Sequence, residues 1–207
     1  MFMEFKGAGV LHVWKRSIQK LVDSNLIVPT ERNGDTIELN NVVLIVTNPL
    51  SSLDEVCQFD KKRGIEYNRL ERTNYWDSID KRLKTFDSIG HLTINQISDI
   101  TKKLTNNPFN RQAYATIWSP ALDVYSPYPV CIVGVHFNVR NDKLNMTAII
   151  RSNDAWGQAL DDMYHLIKIQ KDVAAELSIP VGVYSHFAMS YHIYLTDLIK
   201  AKLYLRS

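Results

Sequence analysis

Residues 129–154, PVCIVGVHFNVRNDKLNMTAIIRSND, decide the fold. Two runs rich in β-branched residues, 129–139 and 144–150, flank the polar stretch RNDK, which is the pattern of a β-hairpin closed by a short turn. Alternation puts Cys131, Val133, Val135, Phe137 and Val139 on one face of the first strand. On the second strand it sets Leu144, Met146, Ala148 and Ile150 on one face and Arg151 on the other, polar side. A bulge is therefore required before Cys131 and Arg151 can share a site.

Working outward from the hairpin, strands and helices interleave. Residues 10–26 place Leu11, Trp14, Ile18, Leu21 and Val22 at helical spacing. The loop VPTERNGD follows, then TIELNNVVLIVTNP, a β-branched strand closed by Asn-Pro. The charged and aromatic stretch 52–90 yields only an amphipathic turn or two in EYNRLERTNYW. Residues 94–104 read as a helix ending at TNNPFN, and RQAYATIW as a strand. Beyond the hairpin, Trp156, Leu160, Met163, Ile167, Ala174 and Leu177 trace one face of a long helix over 154–177. VGVYSHFAM is a further strand, and YHIYLTDLIKAKLYL closes as a helix. The expected class is α+β, a single domain over 1–207.

Composition narrows the function. A chain of 207 residues with 45% hydrophobic and 22% charged content buries a real core. The net charge of +2 gives no general polyanion binder, so no nucleic-acid partner is expected and any phosphate recognition must be local. Two cysteines, Cys57 and Cys131, fit a reducing compartment rather than a disulfide scaffold. The N-terminal stretch carries no cationic leader and no apolar run approaches a membrane span, so the expected location is the cytoplasm, with no membrane partner. Histidine spacing offers no metal site, and Gly-rich phosphate loops, paired CxxC and Gly-x-Ser-x-Gly are all missing.

Individually, the chemical residues are open to more than one reading. Cys131 is either a small core residue or a nucleophile whose thiolate needs a nearby cation, which Arg151 can supply. His186 and His192, close to Tyr191 and Tyr194, read as ordinary hydrogen-bonding residues. Arg32 and Arg111 both sit in loops beside strands.

Their order along the chain is more specific. Arg32 before a strand, then NPFNRQAYATIWSP, Cys131, RSND twenty residues on and SYHIY together resemble the thymidylate synthase family. The resemblance runs over residues 104–197 and 10–50, with 51–92 shortened as in compact archaeal-type members. It implies that Cys131 adds to C6 of a pyrimidine nucleoside monophosphate, and that activated C5 attacks the one-carbon unit of 5,10-methylenetetrahydrofolate. Arg151, Ser152, Arg32 and Arg111 would bind the 5′-phosphate, and His192 and Tyr194 the sugar. Asp154 would shape the pyrimidine site. For the glutamate that organises proton transfer, Glu71 is the first choice and Glu66 the second. A homodimer sharing phosphate arginines is implied as well.

The eighth residue after Asp154 is Asp162, where thymidylate synthases carry asparagine. An aspartate there suits cytosine and resembles the cytidylate hydroxymethylase branch. Asp161 is adjacent, and both carboxylates also suit a helix N-terminus on dipole grounds. Val130, Ile132 and Gln112 depart from the family pattern, and the sequence runs only thirteen residues past Tyr194, which favours water over folate-borne hydride as the final reagent. The expectation is a CMP or dCMP 5-hydroxymethylase. The alternatives are a compact thymidylate synthase acting on dUMP and a catalytically silent nucleotide-binding relative.

Overall fold

The computed structural model describes residues 2–31, 34–54, 56, 59, 69–88 and 92–206. The hairpin forms as expected: β7 (Ile132–Arg140) pairs antiparallel with β8 (Lys143–Asp154). Its two-residue turn, Asn141-Asp142, has φ of 51° and 56°, a left-handed conformation that these two residue types tolerate and that matches strand twist. A seven-stranded mixed sheet grows from this unit in the order β1-β3-β9-β8-β7-β6, with β2 paired to β3. The remaining strands are β1 (Met3–Gly7), β2 (Ile27–Pro29), β3 (Asp35–Val46), β6 (Tyr114–Thr116) and β9 (Val181–Tyr194). β4 (Phe86–Ser88) and β5 (Leu92–Ile94) make a separate small hairpin.

Helices α1 (Val10–Ser24), α5 (Ala159–Glu176) and α6 (Leu195–Arg206) pack on β3, β8 and β9. α1 buries Val10, Val13, Trp14, Ile18 and Leu21, one stripe at helical spacing, and its Trp14 Nε1 donates to the Ala155 carbonyl (2.7 Å). α2 (Arg69–Lys84), α3 (Gln96–Asn106) and the short α4 (Pro120–Asp123) complete the set, with Ile79, Leu83, Ile100 and Leu104 turned into the core. On the sheet face away from α1 and α5, Val43, Ile45, Ile149, Val183 and Phe187 are only half-buried. No helix among the described residues is long and apolar enough to cross a membrane.

The architecture is α+β, and several element boundaries differ from the sequence reading; of RQAYATIW only Tyr114–Thr116 is strand. RLERTNYW, residues 69–76 of the segment read as one or two turns, belongs to the 16-residue α2, and the EYN before it lies outside the described residues. β2 takes Val28 and Pro29 from the start of the segment read as loop, held by pairing to β3. The segment 155–158 is a turn before α5, because the Asp154 carboxylate accepts from the backbone N–H of Trp156 (3.1 Å) and Gly157 (2.9 Å). Finally, YHIY, residues 191–194, is strand and not helix. Tyr191–Tyr194 is held between Thr36–Leu39 of β3 and, at its start, Asn153–Asp154 of β8, and two ladders outweigh local helix propensity.

The bulge demanded by the alternation is present. Ile132 pairs with Ile150 but Gly134 with Ile149, so Val133 is an extra residue in β7. It moves Cys131 off the face shared by Val135, Phe137 and Val139, and that expected placement is corrected. The Val133 carbonyl accepts from both Ile117 N–H (2.9 Å) and Trp118 N–H (3.1 Å) of the segment that leaves β6. Beside it, a Cβ on Gly134 would lie 2.5 Å from the Ala115 carbonyl oxygen and would also meet the Tyr114 ring. Gly134→Ala is therefore expected to destabilise the protein by about 1–3 kcal/mol, read as a lowered urea midpoint.

Candidate functional site

Because of the bulge, Cys131 and Arg151 open on one side of the sheet into a cavity of about 530 Å³. Ser152 and Asp154 from β8, and His192 and Tyr194 from β9, share its lining. Tyr75 of α2 and Pro127, Tyr128 and Pro129 give it a second, aromatic and apolar wall. Strand alternation explains the polar side: Ser152 and Asp154 point to the cavity while Asn153, between them, is fully buried.

The chain entering Cys131 is gripped by charge from two directions. The Arg151 backbone N–H donates to the Cys131 carbonyl (2.9 Å), and its guanidinium donates to the carbonyls of Val130 (3.0 Å) and Pro129 (2.7 Å). From the other direction the buried Asp123 accepts from Val130 N–H (3.3 Å), Ser119 N–H (2.7 Å) and Arg82 (2.5 and 3.2 Å). Burial alone pushes the Asp123 carboxyl up, but the Arg82 hydrogen bonds, the two backbone donors and the Arg82 charge outweigh it and hold it below the usual range.

Asp154 has the opposite balance. Burial raises its carboxyl above the ordinary value, against the Gly157 and Trp156 N–H groups and the charge of His192, while Asp197 adds to the rise. Gly157 permits this packing, since a Cβ there would run into the Asp154 carboxylate. His192 sits with its Nδ1 3.3 Å from Ser190 Oγ and its ring edge-on to Tyr194.

Beneath the cavity floor lies a buried polar chain. Tyr184 Oη is 2.8 Å from His186 Nδ1, His186 Nε2 is 2.9 Å from Asn153 Oδ1, and Asn153 Nδ2 donates to Asp162 Oδ2 at 2.9 Å. Burial lowers the His186 pKa to about 3. The unfolded chain takes up this proton near pH 6.5 and the folded chain only near pH 3, so stability falls as pH drops across that window. Between pH 6.5 and 4.5 this group is expected to remove about 2–3 kcal/mol, measured by urea unfolding, and His186→Gln should lose that part of the slope.

Other residues singled out in the sequence are not brought to the cavity. Asp162 is 1% exposed and does not line it, because it lies on the inner face of α5 against Asn153. Its neighbour Asp161 turns to α2, accepting from Trp76 Nε1 (2.9 Å) and lying 3.6 Å from His165. Arg111 is exposed in the loop before β6, which pairs with β7 near His136, several residues from Cys131. Glu71 falls in the first turn of α2, its side chain outside the described residues. Arg32 and Glu66 also lie outside the described residues, although Glu31, next to Arg32, lines the cavity. Sequence reasoning missed Tyr75, Tyr128, Gln158 and the Arg82–Asp123 pair; only the aromatic content of NYW hinted at the first.

Comparison with known proteins gives the family. A protein of Methanocaldococcus jannaschii described as "Putative thymidylate synthase" is 31% identical over 200 residues, covering 92% of this chain and 90% of its own. A protein of Methanococcoides burtonii with the same description is 26% identical over 198 residues, at 93% and 89% coverage. The deoxyuridylate hydroxymethyltransferase of Bacillus phage SP01 is 29% identical over 131 residues, 61% of this chain and 33% of the phage enzyme. The thymidylate synthase family model matches residues 54–206, which hold Cys131, the RSND strand and the SYHIY strand around one cavity, and the chain belongs to that family.

Proposed function

We propose that the protein transfers a one-carbon unit to C5 of a pyrimidine nucleoside monophosphate, and that its base is cytosine and its product the 5-hydroxymethyl nucleotide. The observation that carries the reading is the bulge at Val133, which puts Cys131 beside Arg151 on the cavity wall. Arg151 orients the chain at Cys131 through two carbonyls and favours the thiolate with its charge. Two of its five donors are used in this way, leaving others for a phosphate, together with the Ser152 hydroxyl. Addition of the Cys131 sulfur to C6 makes C5 nucleophilic, and the C5 proton leaves before the sulfur is expelled. Asp154, its carboxyl raised by burial, is placed to hold and return a proton at the base, while His192 and Tyr194 take the sugar.

The apolar wall of Tyr75, Pro127, Tyr128 and Pro129 suits a flat ring system beside the nucleotide, so the residues fit a folate. 5,10-Methylenetetrahydrofolate would supply the one-carbon unit at the formaldehyde level, and water would complete the hydroxymethyl group. The cytosine assignment rests on Asp162 standing where thymidylate synthases carry asparagine; its side chain is buried behind the cavity and accepts from Asn153. Arg111, which does not line the cavity of its own chain, would serve a partner subunit's phosphate across a homodimer formed on the half-buried sheet face, in the cytoplasm.

The relatives favour a second reading, with uracil as the base, because those named here are described as thymidylate synthases or a deoxyuridylate hydroxymethyltransferase. The test is tritium release from C5 of CMP, dCMP, UMP and dUMP with methylenetetrahydrofolate, followed by product mass. Hydroxymethylcytosine nucleotide is the expected product. Thymidylate or hydroxymethyluracil nucleotide selects the second reading, and binding without exchange on any nucleotide marks a catalytically silent relative.

A further inference from the structure

The stretch 130–133, which carries Cys131, is pinned at both ends. The Val130 N–H donates to Asp123, and the Val133 carbonyl accepts from the N–H groups of Ile117 and Trp118. Both anchors lead back to one side chain. The Arg82 guanidinium donates to Asp123 and also to the Ile117 carbonyl (2.9 Å). Arg82 belongs to the last turn of α2, where backbone carbonyls lack helical partners. Its own carbonyl accepts from Nε2 of Gln96 (2.7 Å), the first residue of α3.

Gln96 makes two more bonds, and they close a ring. Among the described residues no strand lies beyond β6 in the sheet, so one side of Thr116 faces outward. The Gln96 amide takes the place of a neighbouring strand there. Its Oε1 accepts from the Thr116 N–H (2.9 Å) and its Nε2 donates to the Thr116 carbonyl (2.8 Å). A primary amide can answer a strand edge donor for acceptor, as a peptide group does; a carboxylate or an alkyl chain cannot. The ring runs from Gln96 to the Arg82 carbonyl, through the Arg82 guanidinium to the Ile117 carbonyl, and back through Thr116. Backbone groups of α2 and β6 thus depend on a half-buried glutamine that does not line the cavity.

We propose that Gln96 is a positioning residue for Cys131: it seats Arg82 and the edge of β6, and through them holds both anchors of 130–133 so that the thiol stays beside Arg151. The inference rests on the reading of Cys131 as the nucleophile. Gln96 acts through Arg82 and Thr116 and contacts no ligand itself. The phosphate and sugar contacts assigned to β8 and β9 lie outside the ring, so losing the seat should separate chemistry from binding.

Gln96→Met keeps the length of the side chain and removes its hydrogen bonds. It should lower C5 exchange at saturating nucleotide about tenfold while nucleotide affinity stays within about twofold. Alkylation of Cys131 by iodoacetamide, read on its own peptide by mass spectrometry, should slow about threefold as the thiol drifts from the Arg151 charge. Gln96→Glu keeps only the acceptor for the Thr116 N–H; it should slow both rates too, and serves where Gln96→Met does not fold. Ile100→Val, on the same helix and 2% exposed, lowers stability without touching the ring and should leave both rates unchanged. Unchanged alkylation in the folded Gln96 variants overturns the proposal. So does an equal fall in Ile100→Val, or a loss of affinity with the exchange rate at saturation kept. Alkylation needs no turnover, which keeps the two readings apart. Slowed alkylation in protein that exchanges no C5 hydrogen on any nucleotide removes the transferase reading and leaves the positioning role; unchanged alkylation in protein that does exchange removes the positioning role alone.

Discussion

Cys131→Ala should lower C5 tritium release at least ~10³-fold while leaving nucleotide binding nearly intact. The size follows from the chemistry: without sulfur addition at C6 there is no carbanion equivalent at C5, and no other described residue on the cavity wall offers a comparably strong nucleophile. Binding should persist because the phosphate and sugar contacts assigned to Arg151, Ser152, His192 and Tyr194 do not involve the thiol. Stability should change by less than about 1 kcal/mol, since Cys131 is only half-buried and the core face of β7 is filled by Ile132, Val135 and Phe137. Exchange that survives the substitution in a correctly folded variant would remove the nucleophile assignment.

The second large effect is on folding. Asp123→Ala should cost about 3–5 kcal/mol, measured as the change in unfolding free energy in urea. The substitution strands Arg82, whose side chain is 12% exposed, and leaves the N–H groups of Ser119 and Val130 without their acceptor. Arg82→Met should cost a comparable amount, and the double variant clearly less than the sum, because each single change leaves one charge buried alone. Since the Asp123 carboxyl is held below its usual value, its contribution is present above the ordinary aspartate pKa and is lost as pH falls through the lowered one. Asp123→Asn should therefore flatten the acid limb of the stability profile. It should also slow C5 exchange in folded protein, because Val130 is the residue before Cys131.

The hairpin, α1, α3 and α5 were legible because their residues obey one period each and end at local signals, such as Asn141-Asp142 and the cap in which Asn95 accepts from Ser98 N–H (2.9 Å). YHIY was misread as helix because its strand state is set by β3 and β8, which lie far away in sequence. The candidate site followed the same rule. Arg151, Ser152 and Asp154 are neighbours in the chain and could be grouped by eye, whereas Asp123, Arg82 and Tyr75 reach Cys131 or its cavity only through tertiary packing. Alternation correctly stated the condition for Cys131 and Arg151 to meet, and the local sign of the bulge, Gly134 inside the strand next to Val133, went unread. Asp162 shows the limit from the other direction: its position in sequence was read easily, but its orientation depends on Asn153 and on the buried His186.

The residue out of step in β7 also sets how the strand tolerates changes of length. Val133 is unmatched in the ladder, so its removal would leave Ile132 opposite Ile150 and Gly134 opposite Ile149, with every other side chain facing as before. What is lost is one carbonyl that holds the chain leaving β6. Deleting any one residue from 135–139 instead reverses the facing of part of the strand unless Val133 is drawn into line to fill the gap. A deletion scan along β7 thus has one permissive position, and the bulge serves the strand as a spare residue against frame loss.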